Sequence, residues 1–176
     1  AAWDTEVRSP LDQPGVNVKA GDYILAVNGI PLDTNKDPYA AFAGLAEATV
    51  SLKIERTGEE AREVIVTLLD ENDEVRLRHL EWIEQNRKMV EELSGGKLGY
   101  VYMSNTSGQG QLELVRMYYG QLDKEGFIID ERFNGGGQLA DRFLELLQRP
   151  VVYNLHWRHG RDHTHPIKTN TGPVGM

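Results

Sequence analysis

Three consecutive glycines, Gly135-Gly136-Gly137, follow Asn134 and the apolar run Phe127-Ile128-Ile129. These types predict a short strand, a glycine turn and a helix starting near Gln138. A backbone without Cβ atoms turns sharply and lets another chain or a ligand approach closely. Main-chain N–H groups at such a turn and at a helix start lack internal acceptors, so they receive negative charge. Two chemistries use this property. One cradles a phosphate, and the other stabilises the oxyanion of an acyl-transfer intermediate. A third reading is structural: a tight turn that only packs helix against strand. The phosphate reading fails in detail, because neither G-x-x-x-x-G-K-[ST] nor G-x-G-x-x-G is present.

Acyl transfer also needs a nucleophile within reach of a base. The serines are Ser9, Ser51, Ser94, Ser104 and Ser107, and none sits in G-x-S-x-G. Ser104 and Ser107 follow a strand, as many loop serines do. Asp130 and Glu131 end the strand beside the glycines and are candidates for an acid–base pair whose separation the sequence leaves open. His156, His159, His163 and His165 are mixed with Arg158 and Arg161. A metal centre needs convergent imidazoles, with a carboxylate such as Asp162. Their spacing matches no metal signature, so the stretch reads as an exposed basic loop. Its charge suits steering of an anionic group such as a peptide carboxylate. No metal and no cofactor is expected.

The elements that must position these residues follow from the chain as a whole. Its 176 residues suffice for one large domain or two small ones. A net charge of −8 and a pI near 5.1 argue against nonspecific nucleic-acid binding. There is no cysteine, so disulfides and thiolate sites are excluded. No apolar run is long enough to span a bilayer, and no signal peptide is visible. The chain opens at Ala1-Ala2-Trp3, and Thr171-Gly172-Pro173-Val174-Gly175-Met176 reads as a turn entering a new strand. Both ends are expected to be cuts in a longer protein.

Residues 1–19, with Pro10, Pro14 and Gly15, read as a loop. Tyr23 to Val27 is a strand closed by the hairpin turn Asn28-Gly29. An alanine-rich helix is expected over residues 38–47. Val50 to Arg56 alternates apolar and polar, Thr57 to Glu60 turns, and Glu63 to Leu68 returns. Asn72 to Leu93 is a long charged helix with Gly95-Gly96 as its cap. Leu98 to Met103 is a strand, Gln111 to Leu122 a helix, and the glycine strand and turn come next. A helix with Leu139, Phe143, Leu146 and Leu147 inward is stopped by Pro150, and Val151 to Leu155 is another strand. Strand–helix–strand–helix–strand is an α/β layer with a parallel sheet. Its ligands bind outside the carboxyl ends of strands, where Asn134 to Gly137 fall.

Ser9-Pro10-Leu11 and Val18-Lys19-Ala20-Gly21-Asp22-Tyr23-Ile24-Leu25-Ala26-Val27-Asn28-Gly29, followed by a short helix and a hairpin, resemble the end of a PDZ-like domain. Such a domain binds an extended peptide by strand addition. The carboxylate-binding loop would precede Ala1, so a module that only positions its neighbour is an equal reading. Asp130-x-Arg132-Phe133-Asn134-Gly135-Gly136-Gly137 resembles the serine proteases of the tricorn and C-terminal-processing group. The PDZ-like part, the charged helix, Lys97-Leu98-Gly99-Tyr100-Val101 and the region to Gly172-Pro173-Val174 come in that family's order, and the spacing favours the tricorn branch.

The resemblance implies a PDZ-like module over 1–71, a linking helix over 72–96, and the first part of a protease core over 97–176. The implied fold class is α/β, a partial PDZ-like β module before a partial crotonase/Clp-like layered subdomain. The implied activity is serine-type peptide-bond hydrolysis on a peptide or unfolded polypeptide. Gly137 would give an oxyanion-hole N–H, with Gly136 as its neighbour in the turn. The nucleophile would lie beyond Met176 and the histidine base before Ala1, so the isolated chain is expected to be inactive. In the tricorn type an acidic residue favours basic side chains at the cleaved position. That position maps to Leu155, which lacks the charge such a preference needs. A homo-oligomer is open, and the compartment is undetermined: the resemblance leans to the cytoplasm and leaves the cell envelope open. The alternative is a noncatalytic PDZ-like peptide-binding or scaffolding module.

Overall fold

The computed structural model describes residues 8–166, 169 and 172–175. The readings at Ala1-Ala2-Trp3, Thr171 and Met176 lie outside the described residues. The chain forms two compact units, one running to Trp82 and one from Ile83.

The first unit is a four-stranded antiparallel sheet of order β2-β1-β3-β4. Its strands are β1 (Tyr23–Val27), β2 (Ile30–Pro31), β3 (Thr49–Glu55) and β4 (Arg62–Thr67). Asn28 and Gly29, with φ of 50° and 78°, make the tight turn between β1 and β2. Alternation in β3 and β4 puts Val50, Leu52, Ile54, Val64 and Val66 into one core, with Val27. Asp22 anchors the entry to β1. Its side chain is 3 % exposed and accepts from Arg56 Nε and Nη2, each at 2.8 Å. These bonds hold the Asp22 carboxyl down at about 2. The expected helix over 38–47 is instead a 3₁₀ turn over Pro38–Phe42. Asp37 caps it through Tyr39 N–H at 2.8 Å, and Gly44 at φ 73° turns the chain out before an α-helix can propagate. A second 3₁₀ turn, Pro10–Asp12, lies in the stretch read as loop.

Helix α1 (Glu71–Leu93) is charged along most of its length. Arg87 donates to Glu84 at 2.9 Å and to Glu91 at 2.8 Å, the i,i+3 and i,i+4 spacings that support a solvated face. The helix ends as expected at glycine: Gly96 N–H reaches back to Glu91 O at 2.7 Å.

In the second unit β5 (Leu98–Tyr102), β6 (Gly126–Asp130) and β9 (Val174–Gly175) form a parallel sheet of order β5-β6-β9. Helices α2 (Gly108–Tyr119) and α3 (Ala140–Leu147) connect the layer. Tyr102, Tyr118, Phe127, Leu114 and Met103 fill the core, with the Tyr118 and Phe127 rings 4.8 Å apart. The third strand of this sheet is therefore not Val151 to Leu155. That segment supplies β7 (Tyr153–Leu155), which pairs antiparallel with β8 (His163–His165) in a separate hairpin. Val152 is 71 % exposed and Tyr153 53 %, too exposed for a strand within a covered parallel sheet. The described residues contain no helix long and apolar enough to cross a membrane.

Candidate functional site

The loops after β5 and β6 leave the carboxyl ends of neighbouring parallel strands. Backbone bonds lace them together. Gly135 N–H donates to Ser104 O at 2.9 Å, Thr106 N–H to Gly136 O at 2.9 Å, and Leu139 N–H to Thr106 O at 2.8 Å. The glycine run is thus pinned along residues 104–106. The expected helix start near Gln138 moves to Ala140, because Leu139 is still engaged with Thr106.

Closeness is what demands glycine at 137. An added Cβ there would collide with the Thr106 carbonyl and lie 2.7 Å from Ser107 N, at a φ of 152°. Gly136, at φ 79°, meets nothing within 4 Å. An accounting of donors then separates the three glycines. Gly135 N–H is bound to Ser104, and Gly136 N–H to Asn134 Oδ1 at 2.7 Å. Gly137 is exposed, and its N–H has no partner among the described residues. It lies against Ser107, the N-cap of α2, so it sits at the positive end of a twelve-residue helix.

The serines near this turn are occupied. Ser104 Oγ donates to the Glu113 carboxylate at 2.8 and 2.9 Å, and Ser104 N–H donates there at 2.8 Å. Ser107 Oγ donates to Asn105 Oδ1 at 2.6 Å, which also accepts from Ser107 N–H and Gly110 N–H, both at 3.0 Å. Neither hydroxyl meets an imidazole, so both hold the loop and the start of α2. This capture also moves the helix start from the expected Gln111 to Gly108.

Asp130 and Glu131 do not form an acid–base pair. The Asp130 side chain is 7 % exposed and accepts from Tyr100 Oη at 2.6 Å and from Arg132 Nε at 2.9 Å. Burial pushes its carboxyl up, but the bonds from Arg132 and Tyr100 win and hold it at about 2. It stays ionised across the physiological range and cannot shuttle protons. Burial and the adjacent carboxylate push the Tyr100 phenol up. Glu131 is half-buried, and its carbonyl accepts Asn134 N–H at 2.9 Å. Between them Phe133 adopts φ 64° with the residue 83 % exposed. Sequence reasoning missed Tyr100, Arg132, Asn105 and Glu113 as the turn's supports. Only Arg132 and Asn105 lay close enough in sequence to their partners to be read.

His156 and His159 lie in the exposed loop between β7 and β8, as expected, while His163 and His165 fall on β8 itself. His156 Nδ1 lies 2.9 Å from Asp162, and His165 stacks on Tyr153 at 4.9 Å. Leu155 is half-buried opposite His163 in the β7–β8 pairing. No three His, Asp or Glu side chains converge on a metal position among the described residues. We expect zinc titrated calorimetrically into the chain to give at most weak binding, unchanged by His159→Ala with His163→Ala. Submicromolar binding lost in that variant would overturn the reading.

In chain order, a small antiparallel β unit precedes a parallel α/β layer that carries an open glycine turn at its strand ends. Residues 1–71 match the family model of the tricorn protease PDZ domain, and the chain as a whole is tricorn-like. It is 35 % identical to tricorn protease homolog 1 of Streptomyces coelicolor over 97 % of its own length and 16 % of that protein's. It is 29 % identical to the tricorn protease of Thermoplasma volcanium over 95 % of its length and 16 % of that protein's. The crystal structure of the tricorn protease shares the fold, with a TM-score of 0.85 at 24 % identity over 98 % of this chain and 17 % of the other. The chain thus spans about one sixth of these relatives and is a peptidase-related segment with a PDZ-type domain.

Proposed function

We propose that this chain supplies the oxyanion turn of a serine-type peptidase acting on peptides or unfolded polypeptides. Residues 1–71 are its PDZ-like module, 72–96 the linking helix, and 97–176 the first part of a crotonase/Clp-like layered catalytic domain. The observation that carries the reading is the Gly137 N–H, the one donor of the glycine run left without an internal acceptor among the described residues. A fixed donor at a helix N-terminus, aimed where negative charge develops, lowers an acyl-transfer barrier without reorganising. Gly136 keeps the turn through Asn134. Leu155 is the specificity position, and its apolar side chain offers no counter-charge to a basic substrate residue. The nucleophile and the base come from other segments of the parent protein, since Ser104 and Ser107 are tied to Glu113 and Asn105.

The full-length protein should be labelled stoichiometrically by a serine-directed fluorophosphonate and should cleave a mixed peptide library. The isolated 176-residue chain should do neither, because losing a nucleophile or base costs orders of magnitude in rate. Hydrolysis by the isolated chain, with labelling at Ser104 or Ser107, would overturn the assignment.

A second reading, a noncatalytic peptide-binding module, has its own observation. Strand β4 is the edge of its sheet, beside a cleft of about 690 Å³ lined by Val16, Ile65, Thr67, Leu69 and Asp73. An extended peptide can add to such an edge. Peptide binding there in a full-length protein that resists the fluorophosphonate would favour this reading.

A further inference from the structure

The loop on which the glycine turn lies is itself held from outside. Ser104 O takes Gly135 N–H, Thr106 N–H reaches Gly136 O, and Thr106 O takes Leu139 N–H. Gly137 packs directly on the peptide that joins Thr106 to Ser107, since a Cβ there would lie 2.7 Å from Ser107 N. Residues 104–107 therefore set where the Gly137 N–H points. Asn105 ties this loop to the start of α2 through Ser107 and Gly110. Its strand end is tied by a side chain nine positions further along, Glu113 on α2. Glu113 accepts Ser104 N–H at 2.8 Å and Ser104 Oγ at 2.9 and 2.8 Å through its two oxygens, and Gln109 Nε2 donates to it at 3.2 Å. An ionised carboxylate only accepts, so one group satisfies both donors of Ser104 at once. Ser104 thus bridges Glu113 on one side and Gly135 on the other.

We propose that Glu113 is a positioning residue for the Gly137 donor, acting through Ser104 and Gly135 without touching the substrate. The inference rests on the functional reading above. An oxyanion donor works only at hydrogen-bond distance from the place where charge develops, and misplacing a reacting group by about 1 Å costs on the order of 10²-fold in rate. Without the carboxylate, Ser104 N–H and Oγ lose their acceptor, the strand end is free to shift, and the glycine run bonded to it shifts as well. An amide at 113 keeps one acceptor for Ser104 N–H and can donate to Oγ, so it preserves the bridge.

The test is peptide hydrolysis by the full-length protein, with kcat counted per fluorophosphonate-labelled site so that unfolded molecules drop out. Glu113→Leu should lower kcat roughly tenfold with KM within about twofold, and Glu113→Gln should stay within about threefold of wild type. On a Gly137→Val background, Glu113→Leu should cost less than about twofold more, because the donor it positions is already displaced. A full-length protein that takes no label and cleaves no peptide would overturn the functional reading and this inference together. A Gly137→Val variant that loses rate beside a Glu113→Leu variant that keeps it would overturn this inference alone. A further loss of roughly tenfold in the double variant would also overturn it, since Glu113 would then act by a route other than the donor. A lowered thermal midpoint in Glu113→Leu with kcat per labelled site unchanged would overturn it too, and would confine the carboxylate to packing the loop against α2.

Discussion

Gly137→Val in the full-length protein should lower kcat by roughly 10²–10³, the usual loss for one oxyanion donor, with KM much less affected. The donor is main-chain, so no side-chain change deletes it. The substitution displaces it instead. The first atom added at 137 already collides with the Thr106 carbonyl and with Ser107 N, and the φ of 152° disfavours any L side chain. These neighbours are backbone, tied into the loop by Thr106 N–H to Gly136 O and Leu139 N–H to Thr106 O, so they cannot swing aside as a side chain would. The effect falls on kcat because the contact matters most when charge has built up on the reacting oxygen. Gly136 provides the control. It has a left-handed φ of 79° but open space around its Cβ position, and its N–H is already used by Asn134. Gly136→Asn should therefore keep kcat within a few-fold. Thermal midpoints of both variants separate a displaced donor from an unfolded layer. A folded Gly137→Val protein with full kcat would return the turn to a packing role.

What the sequence made legible was what local physics decides. The alternation in β3 and β4, the Asn28-Gly29 turn, the glycine end of α1 and the strand before Gly135 each announce themselves within a few residues. The errors came where distant groups decide. Residues 38–47 have helix-forming alanines, yet Pro38, Asp37 and Gly44 close a 3₁₀ turn. Val151 to Leu155 has the composition of a buried strand, but Val174–Gly175 takes that place beside β6. Asp130 and Glu131 looked like a chemical pair because adjacent carboxylates are visible in sequence. The Tyr100 phenol that occupies Asp130 is thirty positions away and invisible to any window. Gly137 was legible as a turn residue, whereas its status as the spare donor required the partners of Gly135 and Gly136 to be located first.

Asp130→Ala should destabilise the α/β unit by about 2–3 kcal/mol, the scale of losing charge-assisted hydrogen bonds and stranding a buried hydroxyl. Tyr100 is 2 % exposed, so its phenol cannot turn to water for a replacement acceptor. Arg132 would lose both its backbone and side-chain tethers, and with them the fixed approach to Phe133 and the glycines. The dependence on pH has a definite sign. The folded carboxyl sits at about 2 against an ordinary 3.8, so its stabilisation is complete above about pH 4 and is lost as pH falls towards 2. Arg132 is 56 % exposed, so water and salt screen its share of that shift. The pH-dependent part should then be about 1–2 kcal/mol. Urea unfolding of wild type and Asp130→Ala, followed through amide protection in β5 and β6, should show a gap that narrows by that amount between pH 5 and pH 2. Asp22 also titrates low, but it lies in the other unit and is common to both proteins, so it cancels in the difference. A gap of constant size across that range would mean that Asp130 is not held as an anion. The clamp at the base of the turn would then have to rest on Tyr100 and the strand backbone alone.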